Sequence, residues 1–225
     1  MKKLLAAGMD RIYQIGPCFR DGERGSRHNP EFTMLEWYSK SEGYLEMADG
    51  LEALFRELAA AHAPHLAKRV ASPFRRISVR DAYLKFAGWD PWTAWDGDRF
   101  DFDMATKIEP AVAKEGGGVF LVGYPREAAS LAKLSGDVAE RWELYWDGME
   151  LANCFDELCD GAEQARRFAV AREARREAGE ADYPIDDEFL SSLDAIGAAS
   201  GAALGVDRLV MCLLAAPGIS SVRVL

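Results

Sequence analysis

Three stretches of this sequence carry side chains whose types and spacing could do chemistry. The first is His28-Asn29-Pro30-Glu31-Phe32-Thr33-Met34-Leu35-Glu36-Trp37-Tyr38. It follows the apolar run Ile12 to Arg20 and a polar loop holding Arg20, Asp21, Glu23, Arg24, Arg27 and His28. The two runs read as antiparallel strands, and the charge crowded between them suggests a phosphate site. Side chains alternate along a strand, so Phe32, Met34, Glu36 and Tyr38 share one face while Thr33, Leu35 and Trp37 share the other. Phe32 suits stacking on a flat heterocycle, and Glu36 with Tyr38 suits an ammonium or a hydroxyl. Arg20 ends the first strand with a planar fork that matches phosphate. Taken alone, Phe-x-x-x-Glu reads better as an ordinary hairpin with a wet polar face.

The second stretch is Glu140-Arg141-Trp142-Glu143-Leu144-Tyr145-Trp146-Asp147-Gly148-Met149-Glu150-Leu151-Ala152-Asn153-Cys154-Phe155-Asp156-Glu157-Leu158. Asp-Gly between apolar runs is a two-residue hairpin turn signal. That turn pairs Trp146 with Met149 and Tyr145 with Glu150, and a regular ladder then sets Glu143 diagonally across from Glu150 on one face. Paired carboxylates on a half-buried face call for a cation, and oxygen-only ligands favour Mg2+ bridging substrate phosphates. The alternative is that both acids are solvated, or paired with Arg141 or a distant Lys.

The third stretch, Ser200-Gly201-Ala202-Ala203-Leu204-Gly205-Val206-Asp207-Arg208-Leu209-Val210-Met211, reads as a glycine-spaced strand running into a helix that begins Asp-Arg. Small residues let a nucleotide lie against the backbone, and Arg208 can cap an adenine face or reach a γ-phosphate.

Phe19-Arg20 followed by His28-x-x-x-Phe32-x-x-x-Glu36 resembles motif 2 of the class II aminoacyl-tRNA synthetases, in their lysyl branch. The wording from His28 to Tyr38 resembles still more closely the lysyl-synthetase-like ligases that attach (R)-β-lysine to a lysine of translation elongation factor P. The third stretch resembles motif 3, and Tyr124-Pro125-Arg126-Glu127-Ala128-Ala129-Ser130-Leu131-Ala132-Lys133 resembles the scaffold segment before the family's metal-binding hairpin, so the resemblance runs over essentially the whole chain. It implies an α+β catalytic domain, an antiparallel sheet flanked by helices, over residues 1–225. It also implies that ATP and Mg2+ are the cofactors. Catalytic roles fall to Arg20 and Arg208. ATP would be bound by Arg20, Gly22, Glu23, His28, Asn29, Phe32, Glu150, Leu151, Gly205 and Arg208. The metal would be held by Glu143 and Glu150. The cationic amino acid would meet Glu36, Tyr38, Asn153, Glu157 and Ala203, with Glu157 taking its side-chain ammonium. Cys154 stands where Gly is common, a change expected to narrow the pocket. Lysyl-tRNA synthetases usually carry Gly where Ala203 stands, whereas the β-lysine ligases carry Ala, and one methyl group discriminates by about 1–3 kcal/mol.

The implied reaction is two-step acyl transfer by positioning and electrostatics: adenylation of (R)-β-lysine or lysine, then acylation of an amine of elongation factor P. A truncated lysyl-tRNA synthetase paralogue activating α-lysine and a non-catalytic nucleotide- or protein-binding paralogue are the alternatives. Three departures bear on them. Equal-length alignment puts Gly22 where motif 2 carries Glu, with Glu23 one residue later. The chain opens just before motif 2, so the upstream motif 1 that builds the family's homodimer interface, and a Ser-Pro-Glu substrate segment, are not in it. Ser220 to Leu225 is where a last strand would finish.

The elements that must position these groups alternate along the chain. Tyr44 to Ala61 has apolar residues at helical spacing, and Ala162 to Gly179 reads as a charged helix with Phe168 and Val170 inward. Ile77 to Leu84 reads as a strand entering a helix, Trp89 to Trp95 as a loop, Val119 to Val122 as a buried strand, and Tyr183 to Asp186 as the start of a helix ending near Gly197.

At 225 residues with 49% hydrophobic content, the chain can bury one full core. Net charge is -10, which repels polyanions on average and argues against tRNA as the partner, in keeping with the lack of an OB-fold. A basic cluster of Arg24, Arg27, Lys68, Arg69, Arg75 and Arg76 is either solvated surface or a dock for a protein acceptor. Gly8-Met9-Asp10-Arg11 cuts short a leader-like start, no stretch could span a bilayer, and Cys18, Cys154, Cys159 and Cys212 form no Cys-x-x-Cys pair. A cytoplasmic protein is expected. His62 and His65, split by Pro64, read as a surface loop rather than metal ligands.

Overall fold

The computed structural model describes residues 1–223. A short helix α1 (Lys2–Ala6) leads into β1 (Arg11–Phe19) and β2 (Glu31–Ser39), followed by the long helix α2 (Tyr44–His62). Next come β3 (Arg75–Ser78), α3 (Val79–Ala82), α4 (Gly97–Asp103), α5 (Glu109–Glu115) and β4 (Gly118–Pro125). The remaining elements are β5 (Leu134–Ser135), β6 (Val138–Trp146), β7 (Met149–Asp156), α6 (Gly161–Glu177), α7 (Asp187–Leu193), β8 (Ser200–Gly205) and α8 (Val206–Leu214).

Local chemistry sets these boundaries. Ser78, Asp96, Asp160 and Asp186 each accept a hydrogen bond from the backbone N–H three residues on, which caps α3, α4, α6 and α7. Asp147 (φ 50°) and Gly148 (φ 72°) both lie in the left-handed region, as the tight β6–β7 hairpin requires. Along α2, Met47, Ala48, Leu51, Phe55 and Ala59 recur at helical spacing and are all buried.

The strands form one sheet in the order β1-β2-β8-β7-β6-β4-β3, with β5 beside β6. All pairs are antiparallel except β3–β4, which is parallel. The expectation of helices against one back face holds at the β2–β8–β7 end only. There Leu35, Trp37, Ala202, Leu204 and Ala152 pack toward α2 and α8, while the opposite face is open at the cleft and covered by α1 and α7 at its Tyr38 end. Under β4 and β6 both faces are covered: Phe120, Trp142, Leu144 and Trp146 belong to the α2 core, while Val119, Leu121 and Tyr145 belong to a second core with α3 and α5. β1 is an edge strand, with Tyr13, Ile15 and Phe19 exposed.

Several expectations are corrected. Val170 is 72% exposed, and only Phe168 of the pair finds a partner, stacking on Phe189. Cys154 is buried in the core behind the sheet with its Sγ 3.9 Å from Met47 Sδ, so it does not narrow the open face. Half of the basic cluster is neutralised by ion pairs, Arg69 with Asp147, Arg75 with Glu115 and Arg76 with Asp49. Ile219–Ser221 is a single 3-10 turn rather than strand, and Val224 and Leu225 lie outside the described residues.

Candidate active site

β1 and β2 run in register from Arg11↔Ser39 to Phe19↔Glu31, and the Arg20 N–H donates to the Pro30 carbonyl at 2.8 Å, closing the polar loop above the sheet. The C-terminal turn holds this loop from the far side, through a 2.8 Å hydrogen bond from the Ile219 N–H to the Ser26 carbonyl. Loop and sheet line an open cleft. Its walls are Arg20, Glu23, Arg27, His28, Asn29, Phe32, Thr33 and Met34 on one side, Glu150, Leu151, Ala152 and Asn153 on another, and Ala203, Gly205, Asp207, Arg208 and Ile219 at the end.

Arg208 is the hub of the cleft. One of its Nη atoms donates to the Glu150 carbonyl at 2.7 Å and lies 3.6 Å from the Glu150 carboxylate, while its other Nη meets His28 Nε2 at 2.7 Å. A guanidinium only donates, so Nε2 accepts and the His28 proton sits on Nδ1. Burial and the neighbouring Arg208 charge both hold the His28 pKa below its ordinary value, consistent with a neutral ring. The guanidinium of Arg20 lies 5.7 Å from the Phe32 ring centroid and 3.3 Å from Glu23. Asp207 accepts from the Thr33 N–H at 2.7 Å and so ties the start of α8 to β2.

The rest of the site is a row drawn across four strands. Glu36 on β2 is opposite Ala203 on β8, Ala203 is opposite Asn153 on β7, and Asn153 is opposite Glu143 on β6. The next row is Tyr38, Gly201, Phe155 and Arg141. Gly201 has no room for a side chain: a Cβ there would sit 2.3 Å from the Tyr38 ring and 2.5 Å from Glu157 Oε1.

The β6–β7 ladder departs from the expected regular register. Tyr145 pairs with Glu150 as expected, but Leu144 pairs with Ala152, leaving Leu151 without a partner. Glu143 and Glu150 keep the expected diagonal relation on one face, and the bulge adds Asn153 to that face. Glu143 is already engaged, its carboxylate paired with Arg141 and accepting from the Tyr145 hydroxyl at 2.7 Å. Arg141 is itself stacked over Tyr124 and Phe155 at 4.2 and 5.0 Å. Glu150 is freer, and burial together with the Glu143 charge raises its pKa to about 6.

Of the groups expected at a nucleotide, Arg20, Glu23, His28, Asn29, Phe32, Glu150, Leu151, Gly205 and Arg208 share the cleft, and Gly22 stands outside its lining at φ 77°. Asn153 and Ala203 also line it, whereas Glu36, Tyr38 and Glu157 extend the site beyond it along the sheet. Glu143 faces an adjoining hollow that it shares with Tyr124 and Arg141. Arg27, Thr33, Met34, Ala152, Asp207 and Ile219 line the cleft without having been named as site residues. Arg27 and Asp207 carried a signal, as charged neighbours of named residues; the others meet the cleft through tertiary packing.

Glu157 follows β7, buried at 4% exposure, with its Oε2 2.5 Å from Nζ of Lys2 on α1. Burial raises the Glu157 pKa, and the Lys2 charge offsets part of that rise, leaving it at about 7. No group of three or more His, Cys, Asp or Glu side chains forms a metal-binding cluster among the described residues, and no described helix is long and apolar enough to cross a membrane.

A family model described as tRNA synthetases class II (D, K and N) matches residues 1–225. The elongation factor P--(R)-beta-lysine ligase of Yersinia enterocolitica is 36% identical over 248 residues, covering 99% of this chain and 73% of that protein. The protein of the same name from Proteus mirabilis is 36% identical over 250 residues with the same coverage. That from Haemophilus influenzae strain PittGG is 34% identical over 238 residues, covering 95% of this chain and 70% of its own. The chain belongs to the class II (D, K and N) tRNA synthetase family and is a ligase of that class.

Proposed function

We propose that this enzyme adenylates a lysine-type amino acid, (R)-β-lysine by preference, and passes the acyl group to a lysine of elongation factor P. The observation that carries this reading is the continuity of the site: the cleft lined by Arg20, Phe32, Glu150 and Arg208 shares Ala203 and Asn153 with the row that Glu36 joins opposite Ala203. A nucleotide's flat base suits the Phe32 ring and the Arg208 guanidinium, and its phosphates suit Arg20. The acids at Glu36 and Glu157 suit the ammonium groups of the amino acid.

In the first step the amino-acid carboxylate attacks the α-phosphorus of ATP, and pyrophosphate leaves. Arg20 neutralises the charge that develops on the α-phosphate, Arg208 holds the nucleotide in line, and Glu36 fixes an amino group so that the carboxylate points at phosphorus. The acceptor amine then attacks the anhydride carbonyl and AMP leaves. No side chain is acylated in either step. Glu150 fits Mg2+, because it is a partly buried carboxylate whose ion pair, to Arg208, is as long as 3.6 Å, and Mg2+ takes one or two carboxylates along with substrate phosphates. Glu143, engaged by Arg141 and Tyr145, would add its remaining lone pairs. Bound there, the ion would offset phosphate charge.

The overall charge of -10 and the pairing of Arg69, Arg75 and Arg76 with acids support a protein rather than tRNA as acceptor. Four free cysteines support a reducing compartment, the cytoplasm.

The test is amino-acid-dependent ATP–pyrophosphate exchange with α-lysine and (R)-β-lysine, followed by mass measurement of elongation factor P incubated with enzyme, ATP and each amino acid. Faster exchange with (R)-β-lysine and a mass gain of one acyl group are expected. Preference for α-lysine would favour the synthetase paralogue, and absence of exchange with both would overturn the reading.

A further inference from the structure

Lys2 is buried on helix α1 and meets one carboxylate only among the described residues, that of Glu157, 155 positions away in the sequence. The two side chains are 9% and 3% exposed. The helix is anchored so that this contact is fixed: Leu5, one turn on, is fully buried against Leu193, Ile196 and Ala199, with Tyr38 packed on the same cluster. Lys2 makes its closest approach to Oε2 of Glu157, whereas Oε1 lies beside the bare Cα of Gly201, next to the Tyr38 ring. Each oxygen of this carboxylate therefore has its own side.

A buried ion pair of this kind is weak evidence for stability, since an apolar pair of the same volume would hold the helix as well. Its effect on charge is direct. A carboxyl buried as deeply as Glu157, with Glu36, Asp156 and Tyr38 as its neighbours, is driven toward the neutral acid, which attracts an ammonium poorly. The titratable groups near enough to act on it electrostatically are Lys2 from α1, Glu36 and Tyr38 from β2, Cys154 and Asp156 from β7, and Cys159; Lys2 alone among them is cationic.

We propose that Lys2 is a positioning residue for amino-acid recognition, holding Glu157 ionised through one oxygen while the other is presented to the ammonium of the substrate. The inference rests on the reading of Glu157 as the acceptor of that ammonium. It does not make Lys2 catalytic, because Lys2 touches Glu157 and not the reacting atoms.

The experiment is pyrophosphate exchange with α-lysine and with (R)-β-lysine, from pH 6 to 9, on the unmutated protein and on Lys2→Met, Lys2→Arg and Glu157→Gln, with melting temperatures recorded throughout. In Lys2→Met, KM for the amino acid should rise ten-fold or more at pH 7 with kcat little changed, and should recover toward pH 9 as the carboxyl ionises unaided. Lys2→Arg should restore the KM at pH 7. In the unmutated protein, KM should climb as pH falls through about 7, where Glu157 takes up its proton, a limb that survives as a test should Lys2→Met not fold. An unchanged KM with a lowered melting temperature would make the pair structural and overturn the proposal. A lowered KM would overturn it too, identifying Lys2 as a competitor for the pocket. Glu157→Gln separates the two ideas: if it raises KM and Lys2→Met does not, only the role of Lys2 falls, whereas an unchanged KM in Glu157→Gln removes the Glu157 reading itself.

Discussion

Glu150 and Asn153 share one face of the sheet although three positions separate them, because Leu151 stands outside the β6–β7 pairing. In an unbroken strand such residues point to opposite faces. The bulge thus lets one hairpin set both Glu150 and Asn153 on the wall of the cleft.

Glu150→Gln should abolish exchange, with a loss of a hundred-fold or more, while leaving the fold intact. The same substitution reports on stability. The carboxyl is held at about 6 against an ordinary 4.5, so the folded protein takes up this proton before the unfolded chain does. Its ionised form therefore costs stability, fully above pH 6 and not at all below 4.5. Melting of the ligand-free variant should exceed that of the unmutated protein at pH 7.5 and match it at pH 4. An equal melting temperature at both values would contradict the assignment.

Ala203→Gly should move preference toward α-lysine. Ala203 stands between Glu36 and Asn153 in the row, so in the proposed reading its methyl sets the depth available to the amino acid. One methyl group is worth about 1–3 kcal/mol, or roughly ten-fold and upward in the ratio of kcat/KM values. Unaltered selectivity in the exchange assay would count against it.

Gly201→Ala should impair binding and stability together. The new Cβ would overlap the Tyr38 ring and Glu157 Oε1, and overpacking of this kind costs about 1–3 kcal/mol. A rise in KM for the amino acid with KM for ATP preserved, alongside a lower urea midpoint, is the expected pattern.

Arg141→Met should destabilise the protein strongly. It strips the cation from Glu143 and from the faces of Tyr124 and Phe155, and breaking a buried pair from one side costs about 3–5 kcal/mol, somewhat less here because both side chains retain slight exposure. Adding Glu143→Gln to that variant should recover part of the loss in chemical denaturation. Additive losses would rule out the pairing as the cause.

Much of this site was legible in the sequence because its residues lie on strands with clean alternation and on a turn with an unmistakable dipeptide. Phe32, Glu36 and Tyr38 follow from period two, and Asp147-Gly148 fixes the first pairs of the hairpin. The bulge was not legible, since Leu151 continues an apolar pattern that a regular ladder would also accept. Lys2 was hidden by distance and by a run that looks like the beginning of a leader. Val170 shows the limit of periodicity in a helix whose charged residues dominate both faces, and the basic cluster dissolved because partners such as Asp147 and Glu115 are brought in only by folding.

Because the row from Glu36 to Glu143 takes one residue from each of four strands, neighbouring positions in it are independent in sequence but locked in space by the ladder. A protein engineer can therefore exchange Glu36, Ala203 or Asn153 one at a time and re-shape the proposed amino-acid chamber, while Arg20, Phe32 and Arg208 stand in the cleft outside that row.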